Sequence, residues 1–296
     1  MSDTSQAPVS ELLADGIRYE RNGVVQRARE CFEAVTERAD SHPAAAAEAW
    51  WHLANVHRLH SRWEDALAAA NRGAALAREH GWRDIEANAL NIEGAVWWAR
   101  GESGQARALF TRILDLAMTP ATRAKALQNL GSLAAEARDF DEAERLFTES
   151  RDAYRGATDQ RGEAVSLLNI GRLQMDRGEL ASARETLEAA LNEARQAGDL
   201  EMLAGAQLNL GIALAALGLA SEAEERITTA YGQFTIADVP SQRVRCLMQL
   251  AVIASERHEP AAARVCLAHA FTVAESANLP VERRLVEEQL SALSPD

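Results

Sequence analysis

Basic residues are scarce in this chain: 31 lysines and arginines stand against 44 aspartates and glutamates, a formal net charge of −13. Gripping a phosphate backbone takes a basic stripe, and these arginines are interleaved with acids, so no nucleic-acid partner is expected. Only three cysteines occur, Cys31, Cys246 and Cys266. Their odd number and non-metal spacing point to buried thiols rather than a disulfide or a ligand set. Aromatics make up 5% of residues and prolines number seven, which leaves few strand-like segments and favours an all-α fold. No stretch approaches the roughly 18 consecutive apolar residues of a membrane span. The opening MSDTSQAPVSE has neither a basic start nor an apolar core, so a cytoplasmic chain without membrane contact is expected. Also missing are a glycine-rich phosphate loop, a His-Glu-x-x-His motif, paired cysteines and a nucleophile elbow. No enzyme and no cofactor are implied. His52, His57 and His60 share one helical stretch but lack a further ligand at helical spacing, so packed or solvated histidines are expected there rather than a metal. Acid pairs such as Glu142 with Glu144 read as solvated helix faces.

What the chain has in abundance is alanine, about one residue in five, and it is placed periodically. An alanine follows a small residue by twelve positions seven times: Gly16 and Ala28, Ala54 and Ala66, Gly94 and Ala106, Gly131 and Ala143, Gly171 and Ala183, Gly211 and Ala223, Ala251 and Ala263. At this alanine content, seven hits at one offset arise by chance on the order of 1 in 100,000 times. The small residues are 38, 40, 37, 40, 40 and 40 positions apart, so each unit has room for a pair of helices.

In each pair the first helix carries apolar residues at three- and four-residue spacing, as in Leu167, Ile170 and Gly171. Seven positions after the small residue a turn is marked by Gly23, Ser61, Gly101, Gly178, Gly218 or His258, where a left-handed residue can end a helix. The second helix presents the offset alanine and, four residues later, Phe32, Ala70, Phe110, Phe147, Leu187, Ile227 or Leu267. Small residues facing large ones let neighbouring helices interlock. Asp15 and Glu93 depart from this pattern where other units hold Leu53, Leu130, Ile170, Leu210 and Leu250.

These features resemble the tetratricopeptide repeat over about residues 9–277, with Trp50, Tyr19 and Trp97 standing where the family places large aromatics. The roughly 40-residue period looks like the subclass found in kinesin light chains, spindle-orientation adaptors and bacterial regulator sensor domains. The resemblance implies a right-handed superhelical solenoid of seven antiparallel helix pairs, starting near 9, 47, 87, 124, 164, 204 and 244. A flexible start over 1–8 and a capping helix with tail over 278–296 complete the expected layout, with Leu285, Val286, Leu290 and Leu293 of the last helix on one covering side. Trp50, Trp63 and Trp97 are expected in the core.

Two residues before the small residue stand Asn129, Asn169 and Asn209, followed by Gln249, at equal steps of 40. An amide offers both donor and acceptor, so such a column can hold an extended backbone, or it can fix repeat spacing by bonding neighbouring helices. In the 40-residue subclass this asparagine lines the concave groove and contacts peptide backbone, and the resemblance implies the same here. If that face is concave, helical geometry adds its neighbours. They are Trp51, Asn55 and Arg58; Asn91, Ala95 and Trp98; Lys125, Gln128 and Ser132; Leu168, Arg172, Met175 and Asp176; Leu208, Ile212 and Ala215; Arg245, Met248, Val252 and Ser255. Trp51 and Trp98 are each one residue from a structural tryptophan, hence turned by about 100° on the helix, and serve either as binding anchors or as seam packing. The carboxylate clamp of chaperone-tail receptors is not matched, because Leu13 and Ile17 occupy its first-repeat places.

The expectation is a non-enzymatic adaptor holding an extended or helical segment of another protein. A peptide or small-ligand sensor acting through a partner, and a homo-oligomeric scaffold joined through the last helix, are the alternatives.

Overall fold

The computed structural model describes residues 7–21 and 24–293. The first six residues of the expected flexible start, the turn at Gly23 and the tail residues 294–296 lie outside them. Among the described residues the regular elements are all helices, forming an all-α helical-repeat solenoid. They group into two compact units, 1–153 and 154–296, divided within one helix.

The first unit contains α1 (Val9–Arg21), α2 (Val25–Thr36), α3 (Pro43–Leu59), α4 (Trp63–Glu79), α5 (Arg83–Ala99), α6 (Ser103–Leu116), α7 (Pro120–Glu136) and most of α8 (Phe140–Gly156). The second holds the end of α8, then α9 (Gln160–Asp176), α10 (Leu180–Ala197), α11 (Leu200–Ala216), α12 (Ala220–Ile236), α13 (Pro240–Glu256), α14 (Pro260–Ser276) and α15 (Pro280–Ala292). Five of the seven prolines open helices, at Pro43, Pro120, Pro240, Pro260 and Pro280. There the missing N–H is one the helix start leaves unbonded anyway. Side-chain caps start α7, α9 and α11, where Thr119, Asp159 and Asp199 accept from the Thr122, Gly162 and Met202 amides.

The first helices of repeats two to seven end in the same way. Gly178 is left-handed (φ 79°), its N–H bonds the Met175 carbonyl, and the Glu179 N–H reaches back to Gln174 O at 2.8 Å. Two otherwise orphaned carbonyls are thereby satisfied. Ser61, Gly101, Gly218 and His258 do likewise. Repeat four, which has no glycine there, places Arg138 in the left-handed region (φ 61°).

The offset between small and large residues is a physical contact. A Cβ added at Gly16, Gly94, Gly131, Gly171 or Gly211 would stand 2.5–2.7 Å from a side-chain atom of Phe32, Phe110, Phe147, Leu187 or Ile227, respectively. Each of those partners is buried and lies sixteen residues on in the second helix of the same pair. In repeat two both members are small, Ala54 and Ala70, and both are fully buried, so a larger first residue is matched by a smaller second. First helices of successive repeats also touch side by side, α1 with α3, α3 with α5 and α5 with α7 in one unit, α9 with α11 and α11 with α13 in the other.

Three expectations are refined. Trp50, Trp63 and Trp97 are half-buried, and the outward faces of Trp50 and Trp97 are covered by Arg72 and Arg100, 4.9 and 5.3 Å from the ring centres. Asp15 and Glu93 are both half-buried, and Asp15 pairs with Arg18 at 2.9 Å. On α15, Val286 is buried and Leu290 and Leu293 pack beside it, but Leu285 is 46% exposed.

Candidate functional site

Two hollows on the first helices, one in each unit, hold residues of the expected amide column. In the first unit a hollow of about 530 Å³ is lined by Arg58, Asn91, Ile92, Ala95, Trp98, Ala99, Asn129 and Glu136. Asn129 Nδ2 donates to Asn91 Oδ1 at 2.7 Å, linking successive first helices. That bond uses one donor and one acceptor, and each amide has capacity for more. The Trp98 Nε1–H donates to Glu136 Oε2 at 2.7 Å, which holds the ring on the rim. Trp51 lies elsewhere: half-buried against the first-unit core, its ring stacks on His52 with centres 3.6 Å apart. Gln128 is half-buried on α7.

At one margin of this hollow the chain builds a polar relay. Glu20 accepts from His52 Nδ1 at 2.6 Å and from Asn55 Nδ2 at 2.7 Å, and Asn55 Oδ1 accepts from Arg58 Nη2 at 2.9 Å. Burial pulls the Arg58 guanidinium below its ordinary value, with the Glu20 charge opposing. His52 and His57 are buried, and no metal-holding group of three His, Cys, Asp or Glu side chains forms among the described residues.

In the second unit a hollow of about 250 Å³ is lined by Leu168, Met202, Leu208, Asn209, Phe234 and Arg245, with Arg161, Val165, Asp199, Glu201, Gly205 and Gln242 around them. Asn209 is 7% exposed, and its Oδ1 accepts from Arg245 Nη2 at 3.5 Å. Burial lowers the Arg245 guanidinium below its ordinary value and the Arg172 charge lowers it further. Asp199 is occupied: one oxygen caps α11 through the Met202 amide at 3.0 Å and the other accepts from Arg161 at 2.7 Å. Burial would raise its carboxyl, but these bonds outweigh it and hold the group below the usual range. Met175, Leu168 and Ile212 pack half-buried against the second-unit core, and Met248 against the last repeat. Asn169 and Gln249 are half-buried on α9 and α13, and Arg172 is exposed.

Sequence reasoning brought Leu168, Leu208 and Asn209 to one place but missed the N-terminal part of this hollow, Met202 and Gln242 in particular. It also did not single out Glu86 and Glu163, which are buried. Glu86 is met by Arg78 at 2.8 Å and Arg112 at 2.7 Å, and Glu163 by Arg155. The signal was available: an arginine eight positions before each acid, on the preceding second helix. No described helix is long and apolar enough to cross a membrane.

Comparison with known proteins places this geometry. Residues 13–80 and 122–196 each match a tetratricopeptide repeat model. No curated protein matches the chain in sequence. Among solved structures, a tetratricopeptide repeat protein from Parabacteroides merdae superposes with a TM-score of 0.60 at 15% identity, over 94% of this chain and 97% of that one. The apo quorum sensor NprR from B. thuringiensis gives 0.74 at 12% identity, over 90% and 76%. A Rap protein complexed with Competence and Sporulation Factor gives 0.68 at 15% identity, over 94% and 80%. Identities this low speak to fold alone. Helix pairs locked small against large, at a spacing that runs through both matched segments and recurs beyond them, make the chain a member of the tetratricopeptide-repeat family.

Proposed function

We propose that the chain is a non-enzymatic adaptor that holds an extended or helical segment of a partner protein against its first helices. The observation that supports this most is the placement of amides beside apolar side chains in accessible hollows: Asn91 and Asn129 next to Trp98 and Ile92, Asn209 next to Leu168 and Leu208. Apolar burial would supply affinity and amides would fix the ligand backbone without reading its sequence. In the second unit Asn169 and Gln249 would extend the amide set, with Arg172, Met175, Ile212 and Met248 contributing, and in the first unit Gln128 would add to the Asn91 and Asn129 pair. A peptide-sensing role is the second reading, favoured by likeness to a quorum sensor and to a Rap protein held with a factor. Affinity capture from the source cell tests both, with wild type and the Asn169→Ala/Asn209→Ala variant side by side. A protein or peptide retained by wild type and lost with an equally stable variant supports the groove. Equal retention by the two baits, or a variant that melts far lower yet binds as well per folded molecule, assigns the amides to structure.

A further inference from the structure

Arginines in this acidic chain are mostly accounted for by acids. Glu86 takes Arg78 and Arg112, Asp199 takes Arg161, and Glu224 takes Arg257. Arg195 and Arg226 bond amide oxygens instead, of Asn192 and Gln207, and so does Arg245. It lines the second-unit hollow with a neutral amide oxygen, Asn209 Oδ1, as its hydrogen-bond partner, and its salt-bridge partner is none of the described acids within 4 Å. Its other electrostatic neighbours are a second cation, Arg172, and the Cys246 thiol, which acts in the opposite direction.

Arg245 on the hollow and Arg172 near it are like charges that repel each other in the empty protein. An arginine side chain keeps its proton at physiological pH, so the lowered value of Arg245 reports burial first and the nearby Arg172 charge second, not a loss of the proton. Arg245 is an exposed residue, so a ligand can reach it. Of the acids lining the hollow, Asp199 is already committed to the α11 cap and to Arg161, and Glu201 is exposed at the hollow's edge on α11, with no salt bridge to Arg245.

We infer that the segment bound by the second unit carries a carboxylate, received by Arg245 with Asn209 orienting the guanidinium and Arg172 supplying a second positive charge. This rests on the groove reading above and names the chemistry of its ligand. Arginine suits the task because its planar fork matches a carboxylate through two parallel N–H bonds. The apolar part of the wall, Leu168, Met202, Leu208 and Phe234, suits apolar side chains flanking the acid, and a volume near 250 Å³ admits a side chain or a chain end. The carboxylate can come from an Asp or Glu side chain or from a free C-terminus.

Three synthetic probes separate these cases by isothermal titration: acetyl-Leu-Ala-Leu-Ala-Leu as the free acid, the same peptide as C-terminal amide, and the amide with glutamate at the central position. One of the two acidic probes is expected to bind at least tenfold more tightly than the neutral amide, identifying the carboxylate source. Arg245→Gln should erase that preference while leaving the weak binding of the neutral amide, and raising salt should narrow it. Arg172→Gln, as a second variant, should narrow it severalfold. Removing an uncompensated charge should leave thermal midpoints of both variants at or above wild type. Neutral and acidic probes binding equally would overturn the carboxylate assignment alone. If none of the probes binds, the groove reading for this unit falls with it, and a preference that survives Arg245→Gln overturns the role of that residue.

Discussion

Replacing Gly94 with alanine and, separately, Gly232 with alanine sets helix propensity against packing. Both glycines lie inside helices, α5 and α12, where alanine is favoured over glycine by about 1 kcal/mol. At Gly232 nothing stands within 4 Å of the added Cβ, so the full gain is expected. At Gly94 the new Cβ would meet Phe110 Cε1 at 2.6 Å and Cζ at 3.0 Å, where ordinary contact begins at 3.4 Å. Phe110 is fully buried, so its ring cannot swing to solvent, and either the ring or the α5–α6 spacing must yield by nearly 1 Å, an overpacking that costs about 1–3 kcal/mol. The propensity gain is common to both variants, so their difference isolates packing: Gly94→Ala should be less stable than Gly232→Ala by about 1–3 kcal/mol. Thermal and urea unfolding followed by far-ultraviolet circular dichroism measure it. A double-mutant cycle adds the cause, since shrinking the neighbour through Phe110→Leu should cost less in the Gly94→Ala background, with a coupling of about 0.5–3 kcal/mol. Equal stabilisation by the two alanines, with no coupling to Phe110, would refute the idea that the small-to-large offset is a steric contact.

Other expectations follow from the same structure. His258 holds a left-handed turn (φ 60°) that glycine adopts without strain, so His258→Gly should stabilise by about 1 kcal/mol in urea unfolding. Removing Arg78 and Arg112 together, each to methionine, leaves Glu86 buried without a counter-charge, and a loss of about 3 kcal/mol is expected in the same assay. Burial pushes the Cys246 thiol up from 9.0 to about 12. With the folded value raised, its contribution to stability is complete below pH 9 and is lost as pH rises toward 12, at no more than about 1.4 kcal/mol per pH unit. Cys246→Ala should therefore flatten the alkaline limb of a stability–pH curve, and native Cys246 should resist alkylation at pH 8 until the chain unfolds.

Much of the fold could be read from the sequence because its contacts repeat at fixed offsets. Gly94 and Phe110 sit sixteen residues apart, and the same pairing recurs at Gly131 with Phe147 and at Gly171 with Leu187, so one unit explains the next. Turns were legible wherever glycine or a polar residue marked them, whereas Arg138 gives no such signal and takes its left-handed geometry from the helices on either side. The site was less legible. That Leu168, Leu208 and Asn209 share a hollow follows from repeat register. That Arg245 approaches Asn209 from 36 residues away, and that Asn91 rather than Gln128 meets Asn129, depends on how neighbouring first helices are rotated against each other, which spacing alone does not set. The half-buried tryptophans have a related cause, since Arg72 and Arg100 cover their outer faces and remove the need for full burial.

Oxidative footprinting of the methionines, on the chain alone and bound to a partner captured by wild type, tests most directly the claim that the ligand seats on the first helices. Met175 and Met248 lie half-buried on α9 and α13, while Met118 is 65% exposed in the turn before α7. The account predicts that partner binding slows sulfoxide formation at Met175 and Met248 and leaves Met118 unchanged. Protection confined to Met118, or unaltered oxidation at all three with the partner bound, would contradict it.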